Sequence, residues 1–281
     1  MLLRLCIAML AFAANSVLCR LALVNTSIDP VSFSVVRVTS GAVTLLFLFL
    51  LSKERVPLKW NIKQAFFLAV YVLAFSLAYI HIEAGTGALL LFGIVQLSMV
   101  LYGVFHGERL NFKRLLGLIL ALAGIVILLL PNSKAPPFNS ALLMIVSGIA
   151  WACYSISGKQ ITNPLASTFT NFVLAVPIVI VMGLFFIENI NLDIHGVMFA
   201  MLSGGLASSG AYVLWYAIVR KIDSITASTV QLSVPCLAIL GGSLFVGESI
   251  SLRMIVSTLI VLAGIFLVIN ATPKKAQPIK I

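Results

Sequence analysis

Ten apolar runs, each close to the length that crosses a lipid bilayer, fill most of this chain: Leu3–Val24, Pro30–Leu51, Ile62–Ile82, Gly85–Phe105, Phe112–Leu130, Asn139–Gly158, Ser167–Ile187, Gly196–Val219, Thr226–Val246 and Met254–Ile269. A crossing needs about 20 mostly apolar residues, each adding about 1.5 Å of rise. Inside lipid no water can satisfy backbone N–H and C=O groups, so a run of this length must bond to itself as a helix. The joints carry turn punctuation, including Asp29-Pro30, Lys53 to Pro57, Pro131 to Ser133, Pro136-Pro137, Asn163-Pro164 and Pro273. Composition agrees: 9% of the residues are charged, 61% are hydrophobic, and the mean hydropathy is +1.16. A water-facing domain carries roughly 25% charged residues. The expected fold class is an all-α membrane protein with ten transmembrane helices.

Lysine and arginine set the expected orientation. With the N-terminus on one side, that side holds Arg4, Lys53, Arg55, Lys59, Lys63, Arg109, Lys113, Arg114, Lys159, Arg220, Lys221, Lys274, Lys275 and Lys280. The other side holds Arg20, Lys134 and Arg253. Fourteen against three places the richer side in the cytoplasm. Both termini are then cytoplasmic, and an inner cell membrane is the expected location. The net charge of +10 thus serves topology. Because its carriers sit in short loops, nucleic acid is not an expected partner. Apolar character continues past Ala14 to Val24, so the first run reads as a span and not a cleaved leader. Cys6, Cys19, Cys153 and Cys236 all lie within apolar runs, without metal-ligand spacing or a pairing pattern. No metal and no cofactor are expected.

The chain repeats itself at half its length. A shift of 140 residues lays Gly107-Glu108 on Gly247-Glu248, Lys113 on Arg253, and Leu122-Ala123-Gly124-Ile125 on Leu262-Ala263-Gly264-Ile265. The same shift lays Thr86 on Thr226. A register held across separate motifs marks an internal repeat. Residues 1–133 and 134–272 are the expected halves, with 273–281 a cytoplasmic tail. Five spans per half is an odd number, so the second half enters the membrane from the opposite side. Two inverted five-helix repeats are the expected architecture, with a solute site near the midplane where they meet.

These motifs give the chain a resemblance to the drug/metabolite transporter superfamily, in its ten-helix EamA-type branch. The carriers are Gly107-Glu108-Arg109-Leu110 and Gly247-Glu248-Ser249-Ile250, the stretches Thr86 to Leu90 and Thr226 to Val230, and Asp29-Pro30 followed by Arg37. The resemblance covers nearly the whole chain and implies export of small metabolites, amino acids or drugs. One departure stands out. Pro235 lies twelve residues before Gly247, whereas the first half has Val95 there, beside Gln96. Unequal bending of the fourth and ninth helices is expected.

Charges within or beside the runs have two readings each. Arg37 sits a third of the way into the second run, where a charge costs about 2.5–3.5 kcal/mol. A structural tie is the expected role, and recognition of a substrate carboxylate is the alternative. Glu108 and Glu248 precede turns, and each is expected to cap the helix that follows it, with proton coupling as the alternative. Glu83, His81 and Asp223 are expected at the rim, with a proton relay through Glu83 or His81 as the alternative. Neutral polar and aromatic residues inside the runs are the candidates for substrate binding: Asn15, Tyr79, Gln96, Tyr154, Trp215 and Gln231. Trp151, Asn171, Tyr212 and Tyr216 share their character. Interhelical glue and an interface belt are the simpler accounts of such residues one by one. Together they describe a polar, nearly uncharged cavity suited to amphipathic solutes.

A secondary transporter follows, with a small-molecule substrate, the lipid bilayer as surroundings, and a monomeric or homodimeric state. The chain has no Walker motif, so ATP hydrolysis is not expected. A membrane enzyme acting on lipids would need clustered acids or histidines. Only eight Asp and Glu and three His occur, and they are scattered. A multidrug exporter and a static channel also compete with this reading. Transport requires a polar cavity between helices 1–4 and 6–9.

Overall fold

The structure is a computed structural model that describes residues 2–52, 56–108, 110–129, 136–186 and 189–271. The boundary between residues 133 and 134, the tail at 273–281, and Lys53, Arg55, Arg109, Lys134, Lys274, Lys275 and Lys280 lie outside the described residues.

Among the described residues the chain is helical throughout, without strands. The rods are α1 (Leu2–Asn25), α2 (Pro30–Leu51), α3 (Ile62–Ala78), α4 (Ala84–Phe105), α5 (Phe112–Leu129), α6 (Phe138–Gln160), α7 (Pro164–Gly183), α8 (Ile194–Val219), α9 (Ser224–Val246) and α10 (Leu252–Asn270). Eight of them are long and apolar enough to cross a membrane, while α3 is a shorter apolar helix. Most starts carry a side-chain cap, which fills amides the first turn cannot bond internally. Asp29 accepts from the Val31 and Ser32 amides with Pro30 at the first position, and Asn163 accepts from Ala166 ahead of its own Pro164. Asn61, Asp193, Asp223 and Ser251 cap α3, α8, α9 and α10. The apolar runs misplace several ends. Helix α3 stops at Ala78, before Ile82, and α7 runs from Pro164 to Gly183, not from Ser167 to Ile187. Hydropathy marks where apolar character stops, whereas the caps mark where the helix does.

Hydrogen bonds across the ends show how the rods alternate. At one face the start of α3 meets the end of α6 and the start of α7, through Gln64 to Ser157 and to Asn171. The end of α4 meets the start of α9 there, and the Asn111 amide at the start of α5 donates to the Ala271 carbonyl at the end of α10. Arg220, at the end of α8, donates to the Thr162 carbonyl after α6 at 2.6 Å. At the opposite face Arg20, near the end of α1, donates to the Tyr79 and Ile80 carbonyls that end α3, both at 2.8 Å. The Asn191 amide before α8 donates to Asp29 before α2. The face holding the starts of α3, α7 and α9 is called the first face below.

Helices α5 and α10 run side by side through glycine. A Cβ on Gly117 would stand 2.7 Å from the Gly264 carbonyl oxygen, and one on Gly124 would stand 2.9 Å from the Ser257 carbonyl oxygen. Under the 140-residue shift Gly117 becomes residue 257 and Gly124 becomes residue 264, so the two contacts exchange. Small residues let helix backbones meet where no hydrophobic effect drives packing. Large apolar side chains face outward, among them Phe47, Ile119, Leu244 and Phe266. That surface is unstable in water and at home in lipid.

Helices α8 and α9 depart from regular geometry along their length, and α4 does not. Helix α8 carries a π-helical segment at Ser203–Ser208, and α9 is interrupted at Leu232. Pro235 has no N–H to offer the Gln231 carbonyl four residues back, which accounts for the break. Helix α4 is continuous, as Val95 at the matching position leads one to expect.

Candidate functional site

Faces of four helices, α1, α3, α6 and α8, converge on an aromatic cluster at the heart of the bundle. Trp151 of α6 lies 4.9 Å from Tyr71 of α3, 4.9 Å from Tyr212 of α8 and 5.2 Å from Phe12 of α1, between ring centroids. Tyr154 lies 6.1 Å from Tyr212 and stacks on Tyr216 at 4.8 Å, and Trp215 is edge-on to Phe12 at 6.0 Å. All of these rings are buried. The tilted and edge-on contacts are those aromatic quadrupoles favour, worth about 0.5–1.5 kcal/mol each beyond burial.

The polar atoms of the cluster are largely committed to one another. The Trp151 indole donates to Gln231 Oε1 at 2.7 Å, while Gln231 Nε2 donates to the Ala227 carbonyl at 3.2 Å. The Trp215 indole donates to Ser155 Oγ at 3.0 Å. Gln96 reaches Thr229 only loosely, at 3.4 Å, and its Oε1 is buried without a partner. Of the six candidates read from the sequence, Tyr154, Trp215 and Gln231 belong to this cluster or touch it directly. Gln96 stands between α4 and α9. Asn15 lies against the π-segment of α8, donating to the Ala207 carbonyl at 3.0 Å and accepting from Ser203 at 2.7 Å and Ser208 at 3.2 Å. Tyr79 lies toward the second face, where its hydroxyl donates to the Ala84 carbonyl at 3.2 Å.

Arg37 is completely buried beside the cluster. Its Nε donates to Ser208 Oγ at 3.2 Å, and its Nη2 donates to the Tyr71 and Tyr212 hydroxyls at 3.3 and 3.1 Å. The Phe75 and Tyr71 rings lie 5.0 and 5.6 Å from the guanidinium carbon, within cation–π range. Tyr71 and Phe12 escaped the sequence reading. The signal for Tyr71 was its place seven residues after Gln64 and four before Phe75, on one face of α3.

A polar cavity of about 620 Å³ opens at the first face between the α2–α3 loop, α3, α6 and α7. Lys59, Asn61, Lys63, Gln64, Gln160, Asn163 and Ser167 are among its walls. At its rim Gln64 Oε1 accepts from Asn171 Nδ2 at 3.1 Å. Asn171 lies beside Tyr154 of the aromatic cluster. A second, apolar groove of about 720 Å³ lies between α1, α9 and α10.

Each end of the bundle is held by a carboxylate. Gly107 and Gly247 both take left-handed backbone angles, φ +82° and +79°, which fold the chain back sharply and suit only glycine. The glutamate after each does not cap the helix that follows it, as the sequence suggests, but the start of a helix in the other half. Glu108, at the end of α4, accepts from the Ser224 and Ile225 amides of α9 at 2.7 and 3.0 Å. Glu248, at the end of α9, accepts from the Ala84 amide of α4 at 2.9 and 3.1 Å. Helices 4 and 9 end where the other begins, so each carboxylate meets the nearest positive helix end. Lys159 pairs with Glu108 at 3.3 Å, and Arg20 with Glu248 at 3.5 Å. Burial raises the Glu248 carboxyl above the usual carboxylate range, against the pull of the Ala84 amide and Arg20. Asp223 goes the other way. Burial opposes the shift, but hydrogen bonds from Thr226 and the neighbouring Arg114, 3.0 Å away, lower it. Glu83 stands at the N-cap position of α4 without a side-chain cap bond, and His81 is exposed in the preceding turn.

The sequence matches the EamA-like transporter family twice, over residues 1–130 and 139–270. The chain belongs to this family. A relative from Pseudomonas aeruginosa, an uncharacterized protein, is 46% identical over 264 residues, which is 94% of this chain and 92% of that one. A Salmonella typhimurium protein described as a probable amino-acid metabolite efflux pump is 20% identical over 237 residues, 78% of this chain and 79% of its own. One solved crystal structure superposes with a TM-score of 0.74 at 17% identity, covering 95% of this chain and 99% of that one, and so shares the fold. With its apolar helices and transporter relatives, the chain is a multi-pass membrane protein.

Proposed function

We propose that this chain is a secondary transporter which exports small amphipathic metabolites, amino acids among them, by alternating access between two inverted five-helix halves. All ten rods cross the cell membrane, with the first face and both termini cytoplasmic. The observation that carries this reading is the polar cavity at the first face, together with an aromatic cluster drawn from both halves in the bundle interior. Such a cavity suits a solute that enters from one side and waits on movement of the cluster. The reciprocal carboxylates supply an equivalent seal at each end, which is what exchange between two mirrored states requires. The exchanging glycine contacts of α5 and α10 support inverted halves. The Salmonella relative's description favours amino acids and efflux. On this reading the chain performs no bond chemistry and is not an enzyme. Export of lipid-soluble drugs is a second reading, favoured by the apolar groove that opens toward lipid.

Proteoliposomes loaded with a mixture of amino acids and cationic dyes test this. Selective efflux above protein-free liposomes is expected, and a comparison with and without a pH gradient separates coupled from facilitated movement. A folded, correctly inserted protein that releases no amino acid faster than bare lipid would sink the amino-acid reading, and dye release alone would favour the second.

A further inference from the structure

We propose that Arg37 is the anchor for a carboxylate on the transported solute, which makes small monocarboxylates the substrate class. The inference rests on the transport reading above and adds a residue and a chemistry to it. Arg37 lies seven residues into α2, about 10 Å from the start of that helix. Its charge is fully buried, and all eight Asp and Glu of the sequence lie outside the ten apolar runs. Every group that Arg37 donates to is a neutral hydroxyl: Ser208, Tyr71 and Tyr212. Hydroxyls and ring faces solvate a cation without cancelling it. One guanidinium nitrogen, Nη1, is buried with no partner.

A structural tie explains Nε and Nη2 but neither the net charge nor the idle nitrogen. A glutamine could tie the same hydroxyls without a charge to bury. A bound carboxylate accounts for both remaining features. It cancels the charge, and its two oxygens match the planar fork of donors. A cationic solute would add like charge beside Arg37, whose single guanidinium matches one carboxylate. The Tyr154 hydroxyl and Asn171 Oδ1 are among the other buried atoms without a hydrogen-bond partner. Tyr154 belongs to the aromatic cluster, and Asn171 donates to Gln64, which lines the first-face cavity. They offer polar contacts along the route from Gln64 to Arg37, with ring faces for an apolar body.

The test uses the full chain in detergent, read by intrinsic fluorescence of Trp151 and Trp215, with the neutral amino acids, their amides and their decarboxylated amines as probes. At least one amino acid is expected to bind tenfold or more tightly than its amide and its amine. Arg37→Gln should bring acid and amide within about twofold of each other, and Arg37→Lys should keep part of the preference. Equal binding of acid and amide by the wild type overturns the proposal, and that comparison needs no variant to fold. So does a preference that survives in folded Arg37→Gln, or a wild type that answers no carboxylate at all. Efflux of the same probes from proteoliposomes separates the two readings. Acid-selective binding without efflux leaves the anchor standing and removes transport, whereas equal efflux of acid and amide does the reverse.

Discussion

Glu108 and Glu248, 140 positions apart in the chain, hold each other's helices: Glu108 follows α4 and accepts the first amides of α9, and Glu248 follows α9 and accepts the first amide of α4. Each stands at the opposite end of the bundle and has one basic partner, Lys159 or Arg20. The arrangement converts a repeated Gly-Glu motif into two latches between the halves.

Loss of either latch should act at its own end. Glu108→Gln replaces a charged acceptor by a neutral one, at a cost of about 1–3 kcal/mol, while Glu248→Gln, where burial already favours the neutral form, leaves the Ala84 amide a single acceptor oxygen. In a cysteine-free background, a cysteine at Ser224 should react faster with an impermeant maleimide after Glu108→Gln. A cysteine at Ala84 should do so after Glu248→Gln. Faster labelling at both ends from a single substitution would mean that the latches are not separate.

The two ends should also answer acid with opposite signs. Glu248 is raised in the folded protein, so its contribution to stability is present in full below the usual carboxylate range and falls as pH rises through the raised value. Asp223 is lowered, so its contribution is present above the usual range and falls as pH drops through the lowered value. Melting temperatures across about pH 3–7, bracketing the ordinary carboxylate values, should show this. Asp223→Asn is expected to remove part of the loss of stability at the acid end, and Glu248→Gln part of the gain on mild acidification.

Packing between α5 and α10 has no room to give. Gly264→Val places side-chain carbon against the Gly117 carbonyl and the Ala121 backbone, and should cost about 1–3 kcal/mol as overpacking. Thermal unfolding in detergent checks this. Gly210→Ala is the control, because a Cβ there meets nothing within 4 Å.

Gln96 and Gln231 should part company. Gln231→Leu strips the buried Trp151 indole of its acceptor, an unsatisfied donor costing about 1–3 kcal/mol. Gln96→Leu removes a loose 3.4 Å contact and an acceptor without a partner, so its stability should hold or rise. If Gln96 contacts solute, efflux falls in the Gln96→Leu protein while the melting temperature does not.

Much of the fold could be read from the residues in order. Run lengths fixed the rods to within a few residues, because lipid leaves a long apolar segment no option but a helix. Pro235 against Val95 foretold a broken α9 and a continuous α4. The helix start at Asp29-Pro30 was visible, since capping is a local event, whereas the run beginning at Ser167 missed the start at Pro164. The site was harder. Tyr154, Trp215 and Gln231 stood out as polar atoms within apolar runs, but nothing in the order of residues put Tyr71 beside Arg37, or Asn15 against the π-segment of α8.

The sequence by itself determined that the chain is helical, lies in a membrane, repeats at half its length and belongs with transporters, because each of these depends on local composition or on register along the chain. Only the tertiary structure decided which helix end each glutamate holds and what surrounds Arg37. In lipid both the outward and the inward faces of a helix are apolar, so no amphipathic stripe announces which side meets which neighbour. Those pairings are settled by glycine contacts, shape and a few buried hydrogen bonds between residues far apart in sequence, and they exist only once the ten rods have packed.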